Sequence, residues 1–281
     1  MKKNCHTPER NMCAPGGKIA ALFVDIDGTV MECQKYFDSA VNEFATLMAL
    51  CGFDKKIARQ TLEQSYYGSM PHRGFERENF GKAIAEAYGI LCKTYGKRRN
   101  REVALICQRI GSAPFFNQPE LFPHALPVLT RARHNFLIVA VTVGSREAQK
   151  YKIRQGGLAS VFDDIIITLN ENKAELVGEY IEDLDVHPHY SAFIGNSVRS
   201  DGAALAKTNF VYLPLETSLA GPNDRFPESK FRLFRSGNWL EVEERVINRL
   251  IRRKRNASNV DFSAGADNPC EAMDNMDEHS A

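Results

Sequence analysis

The stretch IAALFVDIDGT, residues 19–29, decides the fold of this chain. Its apolar part is a short continuous run of the kind found in a parallel strand that is covered on both faces. Asp25 and Asp27 alternate along the extended backbone, so both can address one pocket at the carboxyl end of the strand. Gly28 supplies the turn by which the chain leaves the sheet. The stretch therefore predicts a buried strand that ends in two carboxylates.

Two carboxylates so close together repel each other. The pair is stable if a cation lies between the two groups or if one of them holds a proton, and both arrangements are more typical of an active site than of a structural core. The alternative is a solvated turn with two surface aspartates, because Asp and Gly also favour ordinary turns. The stretch alone leaves both interpretations open.

Composition and charge narrow the classes of protein. The chain has 281 residues, of which 43% are hydrophobic, and this is enough for one large domain or two smaller ones. A net charge of +1 gives no overall field for nucleic acid, so we do not expect nucleic acid as a partner. No apolar run is long enough for a membrane helix, and the seven cysteines are scattered without a Cys-x-x-Cys pair. We therefore expect a cytoplasmic protein with reduced thiols and no membrane association.

The region from residue 33 to residue 118 repeats apolar residues at helical spacing in four runs that are separated by glycines. It is too long for one connecting loop, so we predict an inserted all-helical unit of about four helices. Within it, residues 66–73 read YYGSMPHR and are predicted to form a Gly/Pro loop. His72 and Arg73 are our candidates for substrate contact, and an exposed loop with incidental charges is the alternative.

From Pro119 onward, strands and helices alternate. Such alternation predicts right-handed crossovers and an α/β fold, in which a Rossmann-like parallel sheet carries helices on both faces. Ligands of such sheets bind at the carboxyl ends of the strands. The predicted strands are residues 136–141, 164–168, 192–194 and 210–213, and the predicted helices are residues 125–134, 147–155, 173–184 and 201–207.

Polar residues follow these strands. Thr142 ends the first of them, Lys173 lies a few residues beyond the second, and GNSVRSD, residues 195–201, follows the third. Together with the Asp-x-Asp-Gly-Thr sequence of the opening stretch, they resemble in order and spacing the motifs of the haloacid dehalogenase-like (HAD) hydrolase superfamily, in its phosphatase branch. The resemblance extends from about Lys18 to Leu213. Four motifs in the same order are far more specific than the first motif alone.

The resemblance implies a division of the chain into a core and an inserted helical cap. The α/β core would comprise residues 18–32 and 119–250, and the cap would comprise residues 33–118, between the first and second motifs. Residues 1–17 are polar and are expected to be a flexible extension. Residues 251–281 are expected to be a basic and then acidic disordered tail. The basic cluster at 252–255 is either the end of a helix or a nuclear or nucleic-acid address.

The resemblance also implies a Mg²⁺-dependent phosphatase that acts on a small phosphorylated metabolite. Asp25 would be the nucleophile that forms an aspartyl-phosphate, and Asp27 would protonate the leaving alcohol and then activate water. A carboxylate that approaches a phosphate dianion is repelled by it, so a divalent cation must lie between them. The expected Mg²⁺ ligands are the carboxylates of Asp25 and Asp201 and the backbone carbonyl of Asp27, and Asn196 would orient a metal-bound water.

Three further residues would bind the phosphate group. Thr142 offers a hydroxyl donor, Gly144 lies in the adjacent turn with its amide, and Lys173 supplies a positive charge. The alternative for Thr142 is an ordinary residue at the end of a strand, and the alternative for Lys173 is a solvated lysine in a first helical turn. If Lys173 does not fill this role, Lys150 or Lys152 is the next candidate.

One departure from the family pattern and two other functions stay open. Many family members carry an acid where this chain has Asn196, and an amide there predicts weaker metal binding. Haloacid dehalogenation is one alternative, although it needs no acid for the leaving halide. The other is a catalytically weak or inactive HAD-like protein that binds a phosphorylated ligand or a partner protein.

Overall fold

A parallel sheet of six strands lies at the centre of the computed structural model, which describes residues 11–73, 77–170, 172–216 and 224–264 and leaves out the side chains of residues 67, 69–73, 77–78 and 258–264. The strand order is β5-β4-β1-β6-β7-β8, and all five pairings are parallel. The predicted Rossmann-like sheet is therefore confirmed. In chain order the strands are β1 (Ala21–Val24), β2 (Met31–Glu32), β3 (Glu120–Leu121), β4 (Leu137–Val143), β5 (Asp164–Thr168), β6 (Ala192–Gly195), β7 (Asn209–Tyr212) and β8 (Leu233–Arg235).

Helices cover both faces of this sheet. None of the helices within the described ranges is long and apolar enough to span a membrane. In chain order they are α1 (Gln34–Leu50), α2 (Lys55–Arg73), α3 (Arg77–Thr94), α4 (Arg101–Ser112), α5 (Ala125–Ala132), α6 (Arg146–Gln155), α7 (Lys173–Asp183), α8 (Trp239–Val242) and α9 (Asn248–Ala264).

Strand β1 shows why the sheet is covered on both sides. Leu22 and Val24 point into one apolar cluster, which includes α5 and α8, whereas Phe23 points into a second cluster that includes α7. All four residues of the strand are buried, as the continuous apolar run predicts. The charged side chains that follow this strand therefore begin where the apolar layers end.

Three of the strands were not predicted from the sequence. Strands β2 and β3 form a separate antiparallel pair of two residues each, which is too short to produce a periodic signal. Strand β8 was not predicted, because its mostly exposed residues give no apolar run. The helix predicted at 201–207 is a 3₁₀ turn, Gly202–Ala206.

Helices α1 to α4 form the predicted helical unit between β2 and β3, with an apolar core of their own. Helices α3 and α4 approach closely at two glycines, since a Cβ added to Gly111 would lie 2.5 Å from the Gly81 Cα. Helix α2 continues to Arg73, so residues 66–73 are helical and do not form the predicted loop. The Tyr66 ring packs edge-on against Phe80 of α3 at 5.0 Å, and this tertiary contact outweighs the local Gly and Pro signals.

Residues 11–17 and 251–264 are more ordered than the sequence suggests. Asn11 donates its amide to the His134 carbonyl, and Ala14 is buried in the core, so residues 11–17 are not a loose extension. Helix α9 runs to Ala264, whereas we expected a disordered tail from residue 251. Lys254 of this helix is buried and donates to two backbone carbonyls, which fixes the helix against the start of the chain. Residues 1–10 and 265–281 lie outside the described residues.

Candidate active site

The predicted site residues meet at the carboxyl ends of three neighbouring strands. Strand β1 lies between β4 and β6, with Val24 paired to Ala140 on one side and to Ile194 on the other. Asp25 continues this strand and donates its amide to the Ile194 carbonyl at 2.9 Å. Thr142 lies two residues beyond Ala140 in β4. The parallel register therefore brings the residues that follow these strands to one edge of the sheet.

Lys173 joins two of the aspartates in a buried ionic cluster. Its Nζ lies 2.5 Å from Asp25 Oδ1 and 2.7 Å from Asp201 Oδ1. The three residues are 3%, 4% and 0% exposed. One ammonium thus serves two carboxylates, and the cluster retains a net negative charge when both acids are ionised.

The environment shifts the acid–base properties of this cluster. Burial raises the pKa of Asp25 to about 7, the Lys173 charge opposes this rise, and the nearby Asp201 charge adds to it. Burial alone would lower the pKa of Lys173, but the charges of Asp201 and Asp25 outweigh it and raise that pKa above its usual 10.5. The lysine is therefore held in its charged form beside Asp25.

Backbone and hydroxyl donors fix Asp201 in place. The Ser197 amide donates to Oδ2 at 3.0 Å, and the Ser200 hydroxyl donates to Oδ1 at 3.0 Å. A Cβ added to Gly195 would lie 2.5 Å from Oδ2, so only glycine at this position allows the carboxylate to come so close to the end of β6. The Gly-Asn-Ser-x-x-Ser-Asp spacing is thus explained by contacts to one carboxylate.

Thr29 connects the first aspartate to Asn196. Its hydroxyl lies 3.0 Å from Asp25 Oδ2 and 3.4 Å from Asn196 Oδ1. Trp239 in α8 donates its indole N–H to the Thr29 carbonyl at 2.9 Å, which ties this turn to the helix layer. Gly28 has a φ of +77°, and a Cβ there would lie 2.3 Å from the Asn196 amide nitrogen. Glycine is therefore required at this turn by its conformation and by the close approach of Asn196.

Asp27 faces helix α6. Lys152 Nζ lies 2.8 Å from its Oδ1 and 2.9 Å from its Oδ2, and Gln149 Nε2 donates to Oδ2 at 2.8 Å. Burial would raise the pKa of Asp27, but the Lys152 charge and the bonds from both side chains lower it below its usual value. Lys152, which the sequence offered as an alternative phosphate ligand, therefore contacts the second acid, whereas Lys150 is exposed.

Thr142 and Gly144 differ in what they can offer a ligand. The Thr142 hydroxyl is buried and has no hydrogen-bond partner among the residues that the structure describes. The Gly144 amide, which we expected to bind phosphate, donates to the Thr168 carbonyl at 2.8 Å. Gly144 instead makes room for the Gln149 amide, which would lie 2.7 Å from a Cβ at this position.

A carboxylate that the sequence did not single out joins the helical unit to the core. Glu216 follows β7, and its carboxylate accepts from the amides of Cys33 and Gln34 at 2.8 and 3.0 Å, where α1 begins. An anion at a helix N-terminus is favourable, because the first amides of a helix lack partners within the helix. The side chains of His72 and Arg73, our candidates for substrate contact, lie outside the described residues.

The donor set at this site suits a hard divalent cation. In the part of the chain that the structure describes, no three His, Cys, Asp or Glu side chains form a metal cluster. The predicted set, however, contains two carboxylates and a backbone carbonyl. Asp25 and Asp201 point at the same ammonium with an excess of negative charge, and carboxylate oxygens are the ligands that Mg²⁺ prefers. The residues therefore fit the metal on their chemistry.

Comparison with known proteins agrees with the sequence motifs. A family model described as haloacid dehalogenase-like hydrolase matches residues 19–208. A search of curated proteins gives no match.

Solved structures share the fold at low sequence identity. A haloacid dehalogenase-like family hydrolase from Xanthomonas campestris aligns with a TM-score of 0.70 and 18% identity, over 90% of this chain and 99% of that chain. The putative HAD-hydrolase YfnB from Bacillus subtilis, bound to magnesium, aligns with a TM-score of 0.55 and 18% identity, over 82% and 99%. The L-2-haloacid dehalogenase from Xanthobacter autotrophicus aligns with a TM-score of 0.50 and 19% identity, over 83% and 98%. These identities support the fold alone.

Proposed function

Because this chain belongs to the haloacid dehalogenase-like hydrolase family, we propose that it is a Mg²⁺-dependent phosphatase that hydrolyses a small phosphomonoester metabolite. The observation that carries the proposal is the second acid, Asp27, which lies two residues after Asp25 and close enough to affect its pKa. A phosphate ester releases an alcohol, which needs a proton, whereas a halide leaves without one. The site therefore has a group that dehalogenation would not use.

The proposed reaction has two halves. Asp25 attacks phosphorus, and the ester P–O bond breaks with its electron pair on the leaving oxygen. Asp27 must enter this step protonated, although Lys152 favours its ionised form, and it gives its proton to that oxygen. Asp27 then takes a proton from water as the water attacks the aspartyl-phosphate, and the bond between phosphorus and the Asp25 oxygen breaks. Inorganic phosphate leaves, and both carboxyl groups return to their starting states.

Lys173 and Thr142 would bind the transferring phosphoryl group. The lysine is held in its charged form beside the nucleophile, and the threonine hydroxyl lacks a partner in the described structure. Both groups are buried, where a charge or a donor stabilises a developing negative charge more strongly than it does in water. They supply the charge neutralisation that phosphoryl transfer demands.

The chemistry of the donors supports Mg²⁺ at this site. The Asp25 and Asp201 carboxylates and the Asp27 carbonyl would hold it, and Asn196 would orient a bound water. When bound, the metal would neutralise the repulsion between the Asp25 carboxylate and the phosphate dianion. Asp25 and Lys173 would keep their roles as nucleophile and phosphate ligand.

We also propose that α1 to α4, which fall within residues 33–118, act as a cap over the core of residues 18–32 and 119–250. A cap of this kind excludes water and contacts the leaving group. Glu216 supports the proposal, because it ties the start of α1 to the loop after β7 beside the site. His72 and Arg73, at the end of α2, stay our candidates for contact with the substrate, and a cytoplasmic metabolite is the expected class.

The test replaces the nucleophile in a protein that stays folded. We expect Asp25→Asn to lower the turnover of p-nitrophenyl phosphate with Mg²⁺ by at least about 10³-fold, since the reaction then lacks its covalent step. Glu179→Gln is the control, because this exposed carboxylate lies on the same helix as Lys173. Circular dichroism checks that both variants are folded.

Three outcomes would overturn the proposal. Unchanged turnover in Asp25→Asn would remove Asp25 as the nucleophile. Halide release from 2-haloacids without phosphate hydrolysis would make the protein a dehalogenase. Failure to bind Mg²⁺ together with no hydrolysis across a panel of sugar phosphates, nucleotides and other small esters would make it a binding module.

A further inference from the structure

Helix α6 engages both oxygens of the second acid. Lys152 Nζ bridges Oδ1 and Oδ2 of Asp27 at 2.8 and 2.9 Å, and Gln149 Nε2 adds a bond to Oδ2 at 2.8 Å. The side chains of the ion pair are only 15% and 26% exposed, and Gln149 is 3% exposed. The Asp27 carboxylate is therefore fixed by two donors from one helix.

The start of α6 is built to present these two donors. Gln149 and Lys152 are three residues apart and lie on the same face of the helix. The Ser145 side chain accepts from the Ala148 amide and begins the helix next to the end of β4. The Gln149 Nε2 group also donates to the Val143 carbonyl at 2.8 Å, so one amide connects the end of β4 to Asp27.

The orientation of this amide follows from its partners. Both of its neighbours, the Val143 carbonyl and the Asp27 carboxylate, are acceptors, and only the nitrogen of Gln149 can serve them. Gly144, between strand and helix, leaves the space that this amide fills. A buried glutamine and a largely buried lysine thus hold one carboxylate in place.

We propose that Lys152 is a positioning residue, which acts through Asp27 and holds its carboxylate, with Gln149, where it can serve the leaving oxygen. The proposal rests on the phosphatase function given above. Lys152 itself need not touch the substrate, since its ammonium is already engaged by both Asp27 oxygens. The reaction is slower when the acid can turn away from the reacting atoms, and a misplacement of about 1 Å can lower the rate by about 10²-fold.

The experiment separates positioning from direct binding of phosphate. Lys152→Met and Lys152→Gln are assayed with Mg²⁺ on p-nitrophenyl phosphate, whose leaving group needs little help from an acid, and on phenyl phosphate, whose leaving group needs more. Each variant is also made in an Asp27→Asn background. Lys150→Met is the matched control, because Lys150 is exposed on the same helix.

Positioning predicts a pattern that a merely structural lysine would not give. We expect Lys152→Met to lower kcat for phenyl phosphate by about tenfold or more and kcat for p-nitrophenyl phosphate by much less, with KM unchanged. In the Asp27→Asn background the same change should have no further effect, because the residue through which Lys152 acts is already lost. Lys150→Met should match the wild type, and thermal unfolding should show that every variant is folded.

Other results would overturn the role. Equal losses on both esters, a raised KM, or a loss that persists in the Asp27→Asn background would assign Lys152 to phosphate binding or to stability. An active Lys152→Met with wild-type kcat on phenyl phosphate would show that Asp27 needs no such support. If the wild type hydrolyses neither these esters nor any of the sugar phosphates, nucleotides and other small esters of the panel, the phosphatase proposal itself fails, and the positioning role fails with it.

Discussion

Among the residues that the structure describes, two lysines are almost completely buried, at opposite ends of the sheet. Lys173 is 3% exposed and lies where the strands end, and Lys254 is 2% exposed and contacts the Asn135 carbonyl, just before β4 begins. The first has two carboxylates as partners, whereas the second has the backbone carbonyls of Asn11 and Asn135. Equal burial thus accompanies opposite electrostatic environments.

The difference teaches which property marks a functional lysine. The anionic partners of Lys173 raise its pKa above the usual 10.5, whereas burial lowers the pKa of Lys254 to about 8. Lys254 packs its ammonium 5.4 Å from the Phe136 ring centroid and connects α9 to the start of the chain. Burial alone therefore indicates anchoring, and burial together with converging carboxylates indicates a site.

The largest expected effect is on catalytic activity, in which the two lysines should differ. Lys173→Met should lower kcat/KM for p-nitrophenyl phosphate by at least about 100-fold, because the phosphate loses its cation and Asp25 faces Asp201 without an intervening charge. Steady-state kinetics at saturating Mg²⁺ measures the loss. Lys254→Met is the matched control, and we expect it to keep wild-type activity in the folded protein. Similar losses in both variants would mean that burial, and not the carboxylates, distinguishes Lys173 from a surface lysine.

A smaller effect concerns the metal. Asp201→Asn should raise the Mg²⁺ concentration for half-maximal turnover by about tenfold or more, because an amide brings no charge to the cation. Lys254→Met should leave this concentration unchanged. An unchanged Mg²⁺ requirement in Asp201→Asn would exclude Asp201 as a ligand and would reduce its role to pairing with Lys173.

The site at the carboxyl end was largely predictable from sequence because its residues follow strands. Asp25, Asp201 and Lys173 each lie at or shortly after a strand end, and a parallel sheet brings such positions together whatever their separation along the chain. No comparable rule exists for Lys254. Its run of four basic residues predicts a helix end or a nuclear or nucleic-acid address, and only the contacts with Asn11 and Asn135 show that one of the four is buried.

The partners of Asp27 were only partly predictable from the sequence. Periodicity places Gln149 and Lys152 on one face of a helix, but it does not say what that face meets. The contact joins residues more than a hundred positions apart, and it depends on how closely α6 follows β4 after Gly144. Glu216 escaped prediction for the same reason, since nothing in its local sequence indicates the start of α1 as its partner.

The pH dependence of stability should distinguish the two lysines. The folded-state pKa of Lys254 is about 8 and the unfolded value is 10.5, so the unfolded state binds more protons between these values and Lys254 adds stability as the pH rises. The unfolding free energy of the wild type relative to Lys254→Met should therefore rise by about 2 kcal/mol from pH 8 to pH 10. Urea unfolding at several pH values measures this difference.

Lys173 should behave differently in the same experiment. Its folded pKa is raised above 10.5, so its contribution is fully present below that value and is lost only as the pH rises through the higher folded pKa. The titration of Lys173 itself therefore adds no slope to the difference between the wild type and Lys173→Met from pH 8 to pH 10. Because the variant also loses the charge that holds down the Asp25 pKa, any slope should be a rise with pH. A difference that falls with pH in this pair, or no slope in the Lys254 pair, would contradict the assignment of partners.

The smallest expected effect concerns Arg255, the neighbour of Lys254 in α9. Arg255 is exposed beside it, and its charge adds to the lowering of the Lys254 pKa. Arg255→Ala should therefore change the unfolding free energy at pH 7 by no more than about 0.5 kcal/mol, with a stabilising sign, because it removes a repulsion from a lysine that is still charged. The rise of the unfolding free energy with pH should also begin at slightly higher pH in Arg255→Ala than in the wild type. Arg252→Ala is the control for the loss of an exposed charge on the same helix, and a clear loss of stability in Arg255→Ala alone would show that Arg255 supports the fold and does not oppose Lys254.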